Sequence, residues 1–201
     1  MPASGHRSTC PYGSFHMRLF IAIEIDPAIV EKLEAIRARL RKADADVKWV
    51  EPENSHLTLK FIGEMDAGRL HEIKAVIARA AATVQPFELA IRTAGCFPEA
   101  RPRVLWIGAE DASGTMQRLH AGIDAGLAPL GVEQDSRAFT AHLTLGRIRS
   151  PKNVRKLLDL LNAENPADLG RSRVESVTLF ESKLSPRGPT YMPVAHAKLG
   201  T

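Results

Sequence analysis

The chain has 201 residues, 44% hydrophobic and 25% charged, which suits a soluble globular protein with one sizeable core or two closely joined lobes. No run approaches the roughly 20 apolar residues needed to cross a bilayer. The net charge of +4 and pI of ≈ 9.3 suit a polyanionic partner without requiring one.

Residues 1–16, MPASGHRSTCPYGSFH, have no continuous apolar region and so do not read as a secretory signal. They are expected to be a disordered leader or a cloning remnant, with residues 17–201 forming the folded part. Cys10 then falls in the leader and Cys96 stands alone in the fold. A lone cysteine forms no intrachain disulfide, so a reducing cytoplasm is the natural compartment. A buried structural thiol is the favoured reading of Cys96 over a nucleophile.

Arg18 to Ile25 alternates and is rich in Ile and Phe, which predicts a strand. Asp26-Pro27 reads as a helix start, and Ile29, Leu33, Ile36 and Leu40 follow at helical spacing. Val47 to Val50 is a short extended piece, and Glu51-Pro52-Glu53-Asn54 turns into a strand. A helix is expected from about Asp66 to Thr83, a strand over Pro86 to Ile91, a turn over Pro98 to Pro102 and a strand over Arg103 to Gly108. Ser113 to Leu130 reads as a helix with Met116, Leu119, Ile123 and Leu127 on one face. Phe139 to Ile148 is a strand, and Ser150-Pro151 opens a helix through Leu157, Leu158 and Leu161. Arg173 to Leu184 reads as one strand, joined through Ser185 to Pro189 to an antiparallel partner over Thr190 to Leu199. No low-complexity linker divides the chain, and the elements do not form a solenoid period.

The most informative feature is a repeated tetrapeptide, His56-Leu57-Thr58-Leu59 and His142-Leu143-Thr144-Leu145, with the copies 86 residues apart. In a strand, His and Thr at i and i+2 share one face and the leucines share the other. A single His-x-Thr is weak, because a half-exposed strand carries it by chance. Two copies with the same leucine spacing favour a functional reading: two imidazoles and two hydroxyls offered to one small anion. Each copy is also followed by a cation, Lys60 or Arg147. Strict alternation puts Arg147 on the opposite face from His142, so a bulge or turn at Gly146 is needed to redirect it. Without one, Arg147 is a solvated strand-end side chain.

Two imidazoles that titrate near neutrality supply an acid and a base for a concerted reaction. Threonine hydroxyls and a nearby arginine hold anionic oxygens. Metal binding is the competing use of paired histidines. There is no His-Glu-x-x-His, no cysteine pair and no acidic residue inside either motif, so no metal and no cofactor are expected. Neither a Gly-x-Ser-x-Gly elbow nor a Gly-x-x-x-x-Gly-Lys loop occurs.

These residues resemble the 2H phosphoesterase superfamily, and within it the LigT-like RNA 2′,3′-cyclic phosphodiesterases, also called 2′-5′ RNA ligases. The likeness runs through Arg18 to Ile23, Val47 to Val50, Asn54 to Glu64, Arg103 to Gly108 and Phe139 to Arg147, and spans about Met17 to Leu199. It implies an α+β fold of two pseudo-symmetric lobes of antiparallel sheet with flanking helices around a central basic cleft. It implies metal-independent opening of an RNA 2′,3′-cyclic phosphate to a 2′-phosphate and a 3′-OH. A weak reversible 2′-5′ RNA ligation is the same chemistry run backwards. On this sequence His56 and His142 become the acid–base pair, Thr58 and Thr144 hold phosphate oxygens, and Arg147 binds phosphate. His142 is expected to activate water and His56 to protonate O3′.

The implied partner is RNA with a 2′,3′-cyclic phosphate end, such as a tRNA fragment, bound by a monomer with no membrane association. The alternative substrates are small cyclic nucleotides or an ADP-ribose cyclic phosphate. A non-catalytic nucleotide or RNA-binding module is the alternative from another class. Ala141 stands where some relatives have proline. Phe20 is a candidate base platform with a core role as its rival, while Trp49 and Trp106 read as core. His71, His120 and His196 read as structural, without matching partners. Arg37, Arg39, Arg41, Arg101, Arg103, Arg137, Arg171 and Arg173 read as mostly solvated, with some forming an RNA-facing surface.

Overall fold

The computed structural model describes residues 15–165, 167–186 and 188–200, so Cys10 and nearly all of the expected leader lie outside the described residues. Nine strands and four α-helices are found among them: β1 (His16–Glu24), α1 (Pro27–Arg41), β2 (Val47–Trp49), β3 (His56–Asp66), α2 (Leu70–Ala82), β4 (Phe87–Phe97), β5 (Val104–Glu110), α3 (Thr115–Leu127), β6 (His142–Ile148), α4 (Val154–Ala163), β7 (Asp168–Val174), β8 (Ser176–Ser185) and β9 (Gly188–Lys198). The fold is α+β. α1 starts as its sequence predicts: the Asp26 carboxylate accepts from the Ala28 N–H at 2.8 Å and Pro27 occupies the first turn.

The strands pair antiparallel in the order β7-β4-β5-β6-β3-β1-β8-β9, and β2 lies against β6. The two motif strands meet at the centre of the sheet. Their pairing is a single step, Leu57 opposite Leu143, so a local twofold relates the motifs. Continuing that register places His56 across from Thr144 and Thr58 across from His142. Leu57, Leu59, Leu143 and Leu145 point away from the cleft into one large core with the apolar faces of the helices. Side chains with a period of two can serve core and site from the same strand.

The spatial lobes are not the two halves of the sequence. α1 packs on β7 and α4, and α4 on β4, all within the lobe that contains β6. α3 packs on α2 and β3, and β8 and β9 return to complete the lobe of the first motif. Each half of the chain thus lends helices or strands to the other lobe. The expected single strand from Arg173 to Leu184 is two strands. β7 ends at Val174 on β4, β8 starts at Ser176 and runs along β1, and only Glu175 lies between them. β7 is at one edge of the sheet and β8 is next to the other, so the sheet curls to bring these strand ends together. Periodicity along one strand carries no information on which neighbour each part will pair with.

Candidate active site

Each motif strand carries an extra residue at its second leucine. On β3 the register steps from Thr58 (opposite Ala22) to Lys60 (opposite Ile21), leaving Leu59 unpaired in the count. On β6 it steps from Thr144 (opposite Trp106) to Gly146 (opposite Leu105), with Leu145 the extra residue. These paired bulges invert the alternation that follows. The fifth residue after each histidine therefore returns to the histidine face, and Arg147 lines the cleft with His56, Thr58, His142 and Thr144. The bulge falls at Leu145, and Gly146 plays a different part. A Cβ there would meet Val47 Cγ1 at 2.7 Å and the Lys48 carbonyl at 3.1 Å, so glycine allows the close approach of β2.

The same bulge on β3 has an outcome the sequence did not signal. It turns Lys60 inward, where it is 2% exposed, and brings Phe61 out at 63% exposure onto the cleft. The cation after the first motif is thus no phosphate ligand. Phe61 occupies the position that Arg147 occupies in the second motif. Laying one tetrapeptide over the other would have exposed that correspondence.

Both imidazoles are held alike. The Nδ1–H of His56 donates to the Asn54 carbonyl at 2.7 Å and that of His142 to the Thr140 carbonyl at 2.8 Å. These bonds fix the neutral tautomer with Nε2 unprotonated. The Thr58 hydroxyl lies 3.1 Å from His56 Nε2. The surroundings of the two rings differ. His56 sits among Phe20, Phe180 and Tyr191, with ring centroids 4.9, 6.4 and 5.2 Å away. His142 has one aromatic neighbour, Phe97, edge-on at 5.3 Å. Burial pushes the His56 pKa down to about 4, against the small upward pull of its bond to Asn54.

Phe20, 2% exposed and stacked on Phe180 at 5.2 Å, is therefore the floor beneath His56 and presents no face to a base. Trp106 stacks on Phe97 at 4.8 Å and lies over Gly95, where a Cβ would come within 2.3 Å of the indole. Trp49 packs against the main core. Cys96 is half-buried, and burial raises its thiol pKa, which suits an unreactive side chain.

The arginines sort by contact. Arg37 is wholly buried and donates to Ser55 Oγ at 2.7 Å, bracing the residue before His56, which corrects its reading as a solvated side chain. Arg39 pairs with Glu164, Arg41 with Glu34, Arg171 with Glu88 and Arg173 with Glu175. Arg137 lines the cleft. His120 bonds Asp135 at 3.0 Å and stacks on Phe139 at 4.3 Å, contacts in keeping with a structural side chain. His71 bonds the Gly68 carbonyl, and His196 the Thr178 hydroxyl.

Among the described residues, no group of three or more His, Cys, Asp or Glu side chains is placed to hold a metal ion, and no helix is long and apolar enough to cross a membrane. Two imidazoles and two hydroxyls related by a local twofold, with an arginine beside them, define a site for acid–base chemistry on a small anion.

The family model described as LigT-like phosphoesterase matches the chain twice, over residues 23–106 and 107–191, and the chain belongs to this 2H phosphoesterase family. It is 38% identical over 176 residues to the RNA 2′,3′-cyclic phosphodiesterase of Methanothermobacter thermautotrophicus, covering 87% of this chain and 95% of that one. It is 30% identical over 188 residues to the protein of the same name from Aquifex aeolicus, covering 92% and 98%. Among solved structures, a Thermus thermophilus protein superposes with a TM-score of 0.76 at 28% identity, over 92% of this chain and 98% of that one. Escherichia coli LigT complexed with 3′-AMP gives 0.73 at 25% identity, over 93% and 100%.

Proposed function

We propose that this protein hydrolyses the 2′,3′-cyclic phosphate at an RNA end to a 2′-phosphate and a free 3′-OH, without a metal ion. The observation that carries the reading is the central pairing of β3 with β6, which brings His56, Thr58, His142 and Thr144 to one cleft, each imidazole holding its Nδ1–H on a backbone carbonyl so that Nε2 is free for proton transfer. The names of the curated relatives support the substrate class.

The cyclic phosphate sits between the motifs, its oxygens bonded by Thr58, Thr144 and Arg147. One imidazole takes a proton from water as its oxygen attacks phosphorus. The other, having first taken up a proton on Nε2 from solvent, gives that proton to O3′ as the P–O3′ bond breaks. The aromatic surroundings of His56 support the opposite assignment from that expected of the sequence. A desolvated imidazole stays neutral and serves as the base, leaving His142 to carry the proton to O3′. Phe61, exposed on the cleft, gives the terminal base a face to stack on without reading its identity.

The wider reading is of a monomeric, cytoplasmic enzyme whose residues 17–201 form one bilobal unit acting on RNA ends such as tRNA fragments. The continuous sheet and the single half-buried cysteine of the described residues support it. The test is turnover, in EDTA, of a short RNA ending in a 2′,3′-cyclic phosphate, beside His56→Ala and His142→Ala. Conversion to a 2′-phosphate by the unmutated protein alone is expected. Bound but unconverted RNA would refute the catalytic reading.

A further inference from the structure

The two ends of the cleft differ in chemistry. Because β3 and β6 run antiparallel, Arg147 lies at the end with His56 and Tyr191, whereas Phe61 lies at the end with Thr58 and His142. That second end is closed by the loop leading into β6, which is fastened to the residue beside Phe61. The Lys60 ammonium donates to the Glu133 carbonyl at 2.8 Å and pairs with Asp124 at 2.5 Å and Asp135 at 2.8 Å. Asp135 bonds His120 as well, and the His120 ring lies flat on Phe139.

Apart from the histidines, the ionisable chains with charge at the cleft are Lys60, Asp135, Arg137 and Arg147. Lys60 is held between Asp124 and Asp135 and has no charge to offer a ligand. Two cations remain, one at each end, and neither has an ion pair among the described residues. The reacting cyclic phosphate carries one negative charge, which Arg147 answers. In a 2′,3′-cyclic nucleotide, the base on C1′ and the 5′ carbon on C4′ both lie across the ribose from the cyclic phosphate. The end of the cleft that receives the base therefore also receives the 5′ phosphate. Phe61 marks that end, and Arg137 is the free cation there.

We propose that Arg137 binds the phosphate on the 5′ side of the terminal nucleoside, so that the cleft prefers an RNA end to a free nucleoside cyclic phosphate. Guanidinium groups suit this task because their fork of donors matches two phosphate oxygens. The clamp of Lys60 on the loop backbone holds the arginine in place before substrate arrives, which limits the entropy lost on binding. The inference rests on the phosphodiesterase reading above.

The test compares kcat and KM for a nucleoside 2′,3′-cyclic phosphate with a free 5′-OH and for a dinucleotide ending in the same group. The unmutated protein is expected to prefer the dinucleotide. Arg137→Ala should lower the ratio of the two kcat/KM values by about tenfold through KM, as expected for a lost charged hydrogen bond, with Arg137→Lys in between. The dependence of dinucleotide KM on salt should weaken by about 0.7 in log–log slope, as for one lost single-strand phosphate contact. An Arg137→Ala protein that lost activity equally on both substrates, or on neither, would overturn this inference alone. If the unmutated protein turned over neither substrate, the phosphodiesterase reading would fall and this inference with it.

Discussion

The aromatic surroundings of His56 should make the fold itself sensitive to acid. Its pKa is pushed from an ordinary 6.5 to about 4, chiefly because Phe20, Phe180 and Tyr191 exclude water from the charged ring. Between these values the unfolded chain binds a proton that the folded chain refuses, so stability rises with pH across that window. The contribution is complete above the unfolded value and is lost as pH falls toward 4. A displacement of this size corresponds to about 3 kcal/mol, a large part of the 5–15 kcal/mol typical of a domain.

The measurement is urea unfolding at pH 7.5 and pH 4 for the unmutated protein and for His56→Gln, with the pH effect of the variant subtracted. The unmutated protein should lose about 3 kcal/mol more on acidification than the variant. The histidine Cε1 proton, followed by NMR, should place the midpoint for His56 near 4, and Phe20→Leu should move it upward. The same pH dependence in protein and variant, or a His56 midpoint near 6.5, would refute the reasoning and remove the burial argument for His56 as the base.

The remaining predictions concern other parts of the site. Arg147→Ala should lower kcat/KM on the order of a hundredfold, as for loss of a group that stabilises developing charge. Its urea midpoint should hardly move, because the side chain is exposed. Lys60→Met should cost about 3 kcal/mol in urea unfolding, because it leaves the largely buried Asp124 carboxylate without its ammonium partner. An equally stable variant would show that the clamp contributes nothing. Gly95→Ala puts a methyl group within 2.3 Å of the Trp106 ring. It should cost about 1–3 kcal/mol by overpacking and lower turnover, since Trp106 supports Phe97 and Phe97 supports His142.

Much of this site can be read from spacing alone. The period of two in His-Leu-Thr-Leu separates a core face from a working face, and both motifs obey it. The turn of Arg147 toward His142 requires a bulge, and the sheet has one, a residue earlier than Gly146. What was not legible depended on partners distant in sequence. Nothing local marks Lys60 as buried, because Asp124 and Asp135 reach it from 64 and 75 residues away. Nothing near Glu175 reveals that the chain changes sides of the sheet there. The three aromatic rings around His56 come from β1, β8 and β9, so its desolvation exists only after the strands have assembled.

The exchange of elements between lobes bears on how the protein is made. On a ribosome, the first motif emerges early, but β8 and β9 complete its lobe only when the last strands are available. Neither lobe has its full set of neighbours until β7, β8 and β9 have been made. Contacts this remote along the chain are slow to form, because loop closure is costly before any of them can repay it. The nascent chain therefore carries the unsealed edge of β1 until β8 has emerged, exposed to pairing with other chains. Catalytic competence and protection from aggregation arrive together, with the closing hairpin.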